Sequence, residues 1–247
     1  MTIAQELQTP QEIKPQEIKN LETTHDTTEY VIFPPGDLYS DEPPLESDLH
    51  LRQIILLLTC LESLWRDRPD FYAAGNLTIY YSHKKRKNED FRGPDFFVVL
   101  ETERKTRKSW VIWEEEGKYP NVIVEILSDS TANTDRDFKK KLYQDTFRTP
   151  DYFWFDPYTL EFAGFHLVDG RYQPLQPNLQ GHLWSQQLGL SLGIHQGLLR
   201  FFTPESVLVP SPEEEAESER QQRAIVEERA ERLAAKLREL NIDPDTV

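Results

Sequence analysis

The feature that most constrains this chain is a carboxylate set inside an apolar strand: Glu125 in Asn121-Val-Ile-Val-Glu-Ile-Leu-Ser128. Aliphatic and β-branched residues on both sides mark a strand buried on both faces, as in the interior of an α/β sheet. An ionised carboxylate there costs several kcal/mol unless it is paired, hydrogen-bonded or bound to a metal. Glu125 therefore implies a cation beside it. Asp95, which follows Gly93-Pro94 and opens the strand-like run Phe96-Phe97-Val98-Val99-Leu100, is the co-ligand this reading selects.

Two carboxylates on neighbouring strand ends make a hard, oxygen-rich site of the kind Mg²⁺ or Mn²⁺ uses, with further positions for water and a phosphate oxygen. A lysine completes the set. Beyond Ser128 the composition turns polar, and the spacing predicts a helix over 135–146 in which Asp135, Lys139 and Tyr143 fall at i, i+4 and i+8 on one face. Lys139 then points back towards the sheet edge. Lys140 and Lys141 compete with it, and helical phase favours Lys139.

These motifs occur in order. Pro94-Asp95, the Glu125 strand with Leu127-Ser128, a helix with Asp-x-x-x-Lys-x-x-x-Tyr, and Pro150-Asp-Tyr-Phe-Trp-Phe-Asp-Pro157 together resemble the Uma2 (Uma-two) family of bacterial restriction endonucleases, a branch of the PD-(D/E)XK nuclease superfamily. The resemblance runs from about Glu46 to Pro204. It implies a restriction-endonuclease-like α/β core, a mixed sheet flanked by helices, and metal-dependent hydrolysis of DNA phosphodiester bonds. Asp95 and Glu125 would hold Mg²⁺ or Mn²⁺, helped by a backbone carbonyl beside Glu125. In the superfamily the lysine sits two residues after the second acid, a position held here by Leu127, so the resemblance implies a migrated lysine, Lys139. It also draws attention to Glu46 and His50, at i and i+4 near the start of the preceding helix, as a further acid and a histidine of the site; a capping carboxylate and a polar rim residue are the alternative readings.

The rest of the chain is read in three pieces. Residues 1–28 are rich in Gln, Glu, Thr and Lys, contain the echo Pro10-Gln-Glu-Ile-Lys14 and Pro15-Gln-Glu-Ile-Lys19, and hold too little apolar surface to offset the entropy of ordering, so a disordered tail is expected. Residues 29–209 form the nuclease-like domain. A core helix is expected from Ser47 to about Arg66 on the stripe Leu51, Ile54, Ile55, Leu58, Leu61, Leu64 and Trp65. Strands are expected at Leu77–Tyr81, Trp110–Trp113 and Tyr152–Phe155, with a hairpin partner at Leu160–Phe165 and a closing sheet edge and connecting loop up to Leu192. Residues 210–247 are an acidic linker and a helix whose Val226, Ala230, Leu233, Leu237 and Leu240 repeat at steps of four and three, the stripe of a short coiled coil. A homodimer through that helix and a helix folded back on its own domain both satisfy the pattern.

Charge bears on the partner. The net −15 is unfavourable for a nucleic-acid enzyme, but ten acids against two bases in residues 1–47 and eleven against six in 210–247 carry most of it, leaving −2 on 48–209. A basic run, Lys84-Lys85-Arg86-Lys87 with Arg92, precedes Asp95 and suits a DNA backbone; a second, Arg104, Lys105, Arg107 and Lys108, lies past the other end of the Asp95 strand. A solvated charge run is the bland reading of each. Glu114-Glu-Glu116 reads as a solvated turn, and His166, His182 and His195 are too scattered for a zinc site. The single cysteine, Cys60, sits in an apolar run and reads as core; with no signal pattern and no long apolar run, a cytoplasmic protein without a membrane segment is expected. Two further readings stand beside the nuclease: a fold whose chemistry has lapsed, serving nucleic-acid or protein interaction, and a structural domain in which Glu125 and Lys139 form a buried ion pair.

Overall fold

The computed structural model describes residues 36–40, 47–81, 91–127, 134–240 and 243–244. Glu46, the run Lys84-Lys85-Arg86-Lys87, the side chains of Arg92 and Asp135, and the whole of the expected tail lie outside the described residues.

Helix α1 (Asp48–Leu64) starts where expected, with Ser47 as N-cap accepting from the His50 backbone N–H. Its buried face is rotated from the apolar stripe read in the sequence. His50, Gln53, Ile54, Leu57, Cys60 and Leu61 face inwards, while Leu51, Ile55 and Leu64 are exposed. The reason is a pair of hydrogen bonds that makes a glutamine a core residue: Gln53 Nε2 donates to the Leu199 carbonyl at 2.9 Å, and the Leu199 N–H donates to Gln53 Oε1 at 3.0 Å.

Twelve strands follow among the described residues. β1 (Phe71–Gly75), β4 (Phe96–Leu100), β6 (Val122–Ile126), β7 (Asp151–Phe155), β8 (Phe162–Val168) and β9 (Arg171–Pro174) build a mixed sheet in the order β1-β4-β6-β7-β8-β9, in which only the β6–β7 pair is parallel. Short β2 (Ile79–Tyr80), β3 (Phe91–Arg92) and β5 (Trp110–Val111) form a second sheet. The stretches expected as strands at Leu77–Tyr81 and Trp110–Trp113 thus shrink to two residues each. β10 (Leu183–Ser185), β11 (Leu190–His195) and β12 (Leu198–Phe202) form a third, antiparallel sheet, where the sequence reading had a sheet edge and a loop.

The central strands are apolar on both faces because both faces are covered. Val122, Val124 and Ile126 pack with Leu57 and Leu61 of α1 and with Leu192, Leu199 and Phe201 of the third sheet. On the other face Ile123 packs with Phe97, Trp110, Tyr143, Phe147 and Tyr152. By the two-residue period of a strand, Glu125 shares the face of Ile123. Helix α2 (Thr134–Leu142) covers that face and widens into a π-helical turn, Tyr143–Phe147, which ends at Arg148 in the left-handed region (φ +54°).

The main and third sheets are fastened at Asp151. This fully buried carboxylate accepts from Ser185 Oγ at 2.6 Å and from the Gln187 N–H at 2.9 Å, and meets His166 Nδ1 at 2.6 Å. Helix α3 (Pro212–Glu239) begins with a capping box of Ser211 and Glu214; the Glu214 carboxylate is also gripped by the Arg200 guanidinium at 3.0 and 2.6 Å. Beyond that base no residue of α3 is buried. Among the described residues no helix is long and apolar enough to cross a membrane.

Candidate active site

Register brings the two carboxylates face to face. Antiparallel pairing of Phe96 with Val124 continues one step to set Asp95 opposite Glu125 at the end of β6. Asp95 sits in the turn before β4 and is held by the end of β6: the Ile126 N–H donates to its Oδ2 at 2.7 Å. His50, from the first turn of α1, brings Nε2 to 3.0 Å from Asp95 Oδ1, an ion-pair distance although not the in-line approach of a good hydrogen bond. Burial disfavours the Asp95 charge, but the contact with His50 and the charge of Lys139 outweigh it and hold the carboxyl below its usual range.

Glu125 is gripped from α2. Lys139 Nζ donates to its Oε2 at 2.9 Å and the Tyr143 hydroxyl to its Oε1 at 2.6 Å, so residues four apart on the helix take one carboxylate oxygen each. Only 1% of Glu125 is exposed. Burial pushes its carboxyl up to about 7; Lys139 opposes the rise, and the negative charge of Asp95, with which it shares a hydrogen bond, adds to it. Burial, and then the charge of Glu125, raise the Tyr143 hydroxyl well above its usual value, so it remains a neutral donor. The neighbouring lysines do other work. Lys140 lies over the Phe165 ring at 3.5 Å, and Lys141 is exposed.

Four of the five residues singled out in the sequence are therefore brought together: Asp95, Glu125, Lys139 and His50. The fifth, Glu46, lies outside the described residues. Tyr143 marks helical phase and closes the Asp-x-x-x-Lys-x-x-x-Tyr motif, with no role for its hydroxyl in that reading. Its hydroxyl is a part of the site that the spacing Lys139-x-x-x-Tyr143 could have suggested, since a residue on the face of Lys139 reaches the same carboxylate.

The two arginines of the second basic cluster are engaged within the fold. The Arg107 guanidinium lies over the rings of Tyr72 and Trp110 at 4.6 and 4.7 Å and is bound by both carboxylate oxygens of Glu115 at 2.6 and 2.9 Å. Arg104 lies over Phe71 and donates to the carbonyls of Trp65 and Arg66. Glu115 is thus a structural partner rather than part of a solvated turn. His166 and His182 are likewise taken up by Asp151 and by stacking on Phe202.

A match to a family model now joins this geometry. The Uma2 model, described as "Putative restriction endonuclease", matches residues 15–200, most of the chain. The chain belongs to the Uma2 family. The match begins inside the stretch read as a tail and upstream of Glu46, so the Uma2 region extends further towards the N-terminus than the motifs alone indicate. Membership makes this a chain of a nuclease family. No curated protein matches it. Among solved structures, the crystal structure at 1.96 Å of "a putative nuclease belonging to DUF820" from Anabaena variabilis ATCC 29413 is similar to this Uma2 chain at 13% identity and a TM-score of 0.44, over 59% of this chain and 76% of that one.

The donor chemistry suits a hard divalent cation. Two carboxyl groups meet at a buried strand end, and burying both as anions is costly without added positive charge. Among the described residues no three His, Cys, Asp or Glu side chains form a metal-ligand group; of these, Asp95 and Glu125 are the carboxylates that would hold an ion here.

Proposed function

We propose that this chain is a metal-dependent endonuclease that hydrolyses DNA phosphodiester bonds in the cytoplasm. The observation that supports this reading is the meeting of Asp95 and Glu125 across β4 and β6 with the Lys139 ammonium 2.9 Å from Glu125. Bound at the two carboxylates, Mg²⁺ or Mn²⁺ would supply a Lewis acid for a phosphate oxygen and a more acidic water. The chain's own residues do the rest. The Ile126 N–H and His50 fix the two oxygens of Asp95, and Tyr143 fixes Glu125. Lys139 brings a compact positive charge to the developing negative charge of the phosphate, and its flexible stem lets it follow that charge.

The test is cleavage of supercoiled plasmid with Mg²⁺ or Mn²⁺ by the wild type and by Asp95→Asn, Glu125→Gln and Lys139→Met. Nicking by the wild type and its loss by about 10² or more in each variant is expected. A wild type that cuts no DNA with either ion refutes the proposal. The neutrality of the Glu125–Lys139 pair favours a second reading, a structural ion pair in a fold that only binds; it requires that no metal affinity depend on Asp95 and Glu125.

Helix α3 serves self-association. Val226, Leu233 and Leu240 stand at seven-residue steps and are 64, 57 and 68% exposed on a helix with no buried residue. A lone helix of that kind is marginal in water, and a second copy supplies a matching stripe. Sedimentation of the wild type against Leu233→Lys tests it; a dimer that becomes a monomer is the expected result.

A further inference from the structure

We propose that Lys139 and the divalent ion are alternative occupants of Glu125: the lysine holds the carboxylate until the ion arrives, then leaves it and becomes free to meet the phosphate. The inference rests on the metal-dependent reading above and assigns Lys139 a role before catalysis.

The two groups on Glu125 are unlike. Tyr143 is fully buried, with its ring against Phe147 and Tyr152 at centroid distances of 5.3 and 5.5 Å, so its hydroxyl cannot leave Oε1 without opening the core. Lys139 reaches Oε2 from the rim, with 26% of its side chain exposed on a four-carbon stem. One is a fixed clamp and the other a movable cation. Glu125 offers at most one negative charge. Asp95 is already held by the Ile126 N–H and the contact with His50. With Tyr143 on Oε1, an ammonium and a divalent ion would compete for Oε2, and their mutual repulsion in a buried site makes the two exclude each other there. Swinging off Glu125 moves the ammonium towards the open side of the site, where a phosphate would approach. Tyr143 keeps the carboxylate in place during the exchange.

The test is Mn²⁺ titration calorimetry on the wild type, Lys139→Met, Tyr143→Phe and Asp95→Asn. Exchange predicts that Lys139→Met binds Mn²⁺ roughly tenfold tighter or more, because its competitor is gone, whereas Tyr143→Phe binds no tighter. Unchanged or weaker binding by Lys139→Met, with Asp95→Asn still abolishing binding, overturns the exchange and leaves the metal reading standing. Asp95→Asn binding as tightly as the wild type overturns both. A crystal structure of the wild type grown with Mn²⁺ decides the matter if Lys139→Met fails to fold. Lys139 Nζ should be out of hydrogen-bond reach of Glu125, and a retained contact beside an ion on that carboxylate refutes the proposal.

Discussion

At Glu125, burial and function pull in opposite directions, and pH reveals the conflict. Its carboxyl is raised from 4.5 to about 7 by burial and by the charge of Asp95, so the folded protein binds that proton more tightly than the unfolded chain does. The stability this gives is fully present below about pH 4.5 and is lost as pH rises through 7. Glu125→Gln cannot ionise. In urea denaturation its stability relative to the wild type should therefore improve by about 2–3 kcal/mol between about pH 4 and pH 8. A constant gap across that range would mean that Lys139 and Tyr143 already compensate the buried charge. This residue was legible in the sequence because a carboxylate is conspicuous among Val, Ile and Leu. Lys139 was legible through helical phase, and Asp95 through its place ahead of an apolar strand. Tyr143 was legible as a position on the face of Lys139, but spacing alone does not separate a hydroxyl that serves Glu125 from a tyrosine that only packs. Only the distance of 2.6 Å to Glu125 Oε1 gives its hydroxyl a role.

Between elements, the polar ties carry information that periodicity cannot. Asp151 opens β7 on a fully buried carboxylate with three partners, two of them from the segment that holds β10. Asp151→Ala leaves Ser185 and the Gln187 N–H buried without their acceptor. The urea midpoint should fall by the equivalent of about 3–5 kcal/mol, and a loss under about 1 kcal/mol would show that the sheets are held by apolar packing alone. Arg107 ties β1 to β5 by lying over Tyr72 and Trp110 while Glu115 neutralises it. Arg107→Ala should lower stability by about 3 kcal/mol yet leave the salt dependence of DNA binding unchanged, since its charge is spent inside the fold. A shallower salt slope in that variant would return Arg107 to the DNA surface. The same kind of tie explains why the phase of α1 was misread: Gln53 faces the core because Leu199, 146 residues later, accepts and donates to it. A partner that distant leaves no trace in local spacing. The third sheet escaped for a related reason, since β10 is only three residues long, β11 is interrupted by Ser191 and Gly193, and Leu192, Leu199 and Phe201 of the sheet are buried against α1 and the main sheet.

On the scale of the whole molecule, the self-association proposed for α3 bears on how a duplex would be cut. Its 28 residues span about 42 Å, long enough for a coiled-coil seam to hold two domains together at its base. With Val226, Leu233 and Leu240 as one set of seam positions and Ala230 and Leu237 as the other, Arg229 and Lys236 flank the seam on one side and Glu227 and Ala234 on the other. An antiparallel pair sets Arg229 of one copy against Lys236 of the next, a repulsion. A parallel pair sets Arg229 against Ala234 and Gln222 against Glu227, with no like charges in contact. Parallel association anchors both domains at the same end of the seam, through the Arg200–Glu214 grip at the base of each helix. On the proposed nuclease reading, two sites so held would reach both strands of one duplex, whereas a monomer would cut one strand per encounter. In a time course on supercoiled plasmid, the wild type should therefore yield linear DNA early. Leu233→Lys, which puts a charge into the seam and touches nothing in the domain, should accumulate nicked circles first while its total rate of strand scission stays within about twofold. Equal proportions of linear product from both proteins would separate dimerisation from double-strand cleavage and leave each domain to act alone.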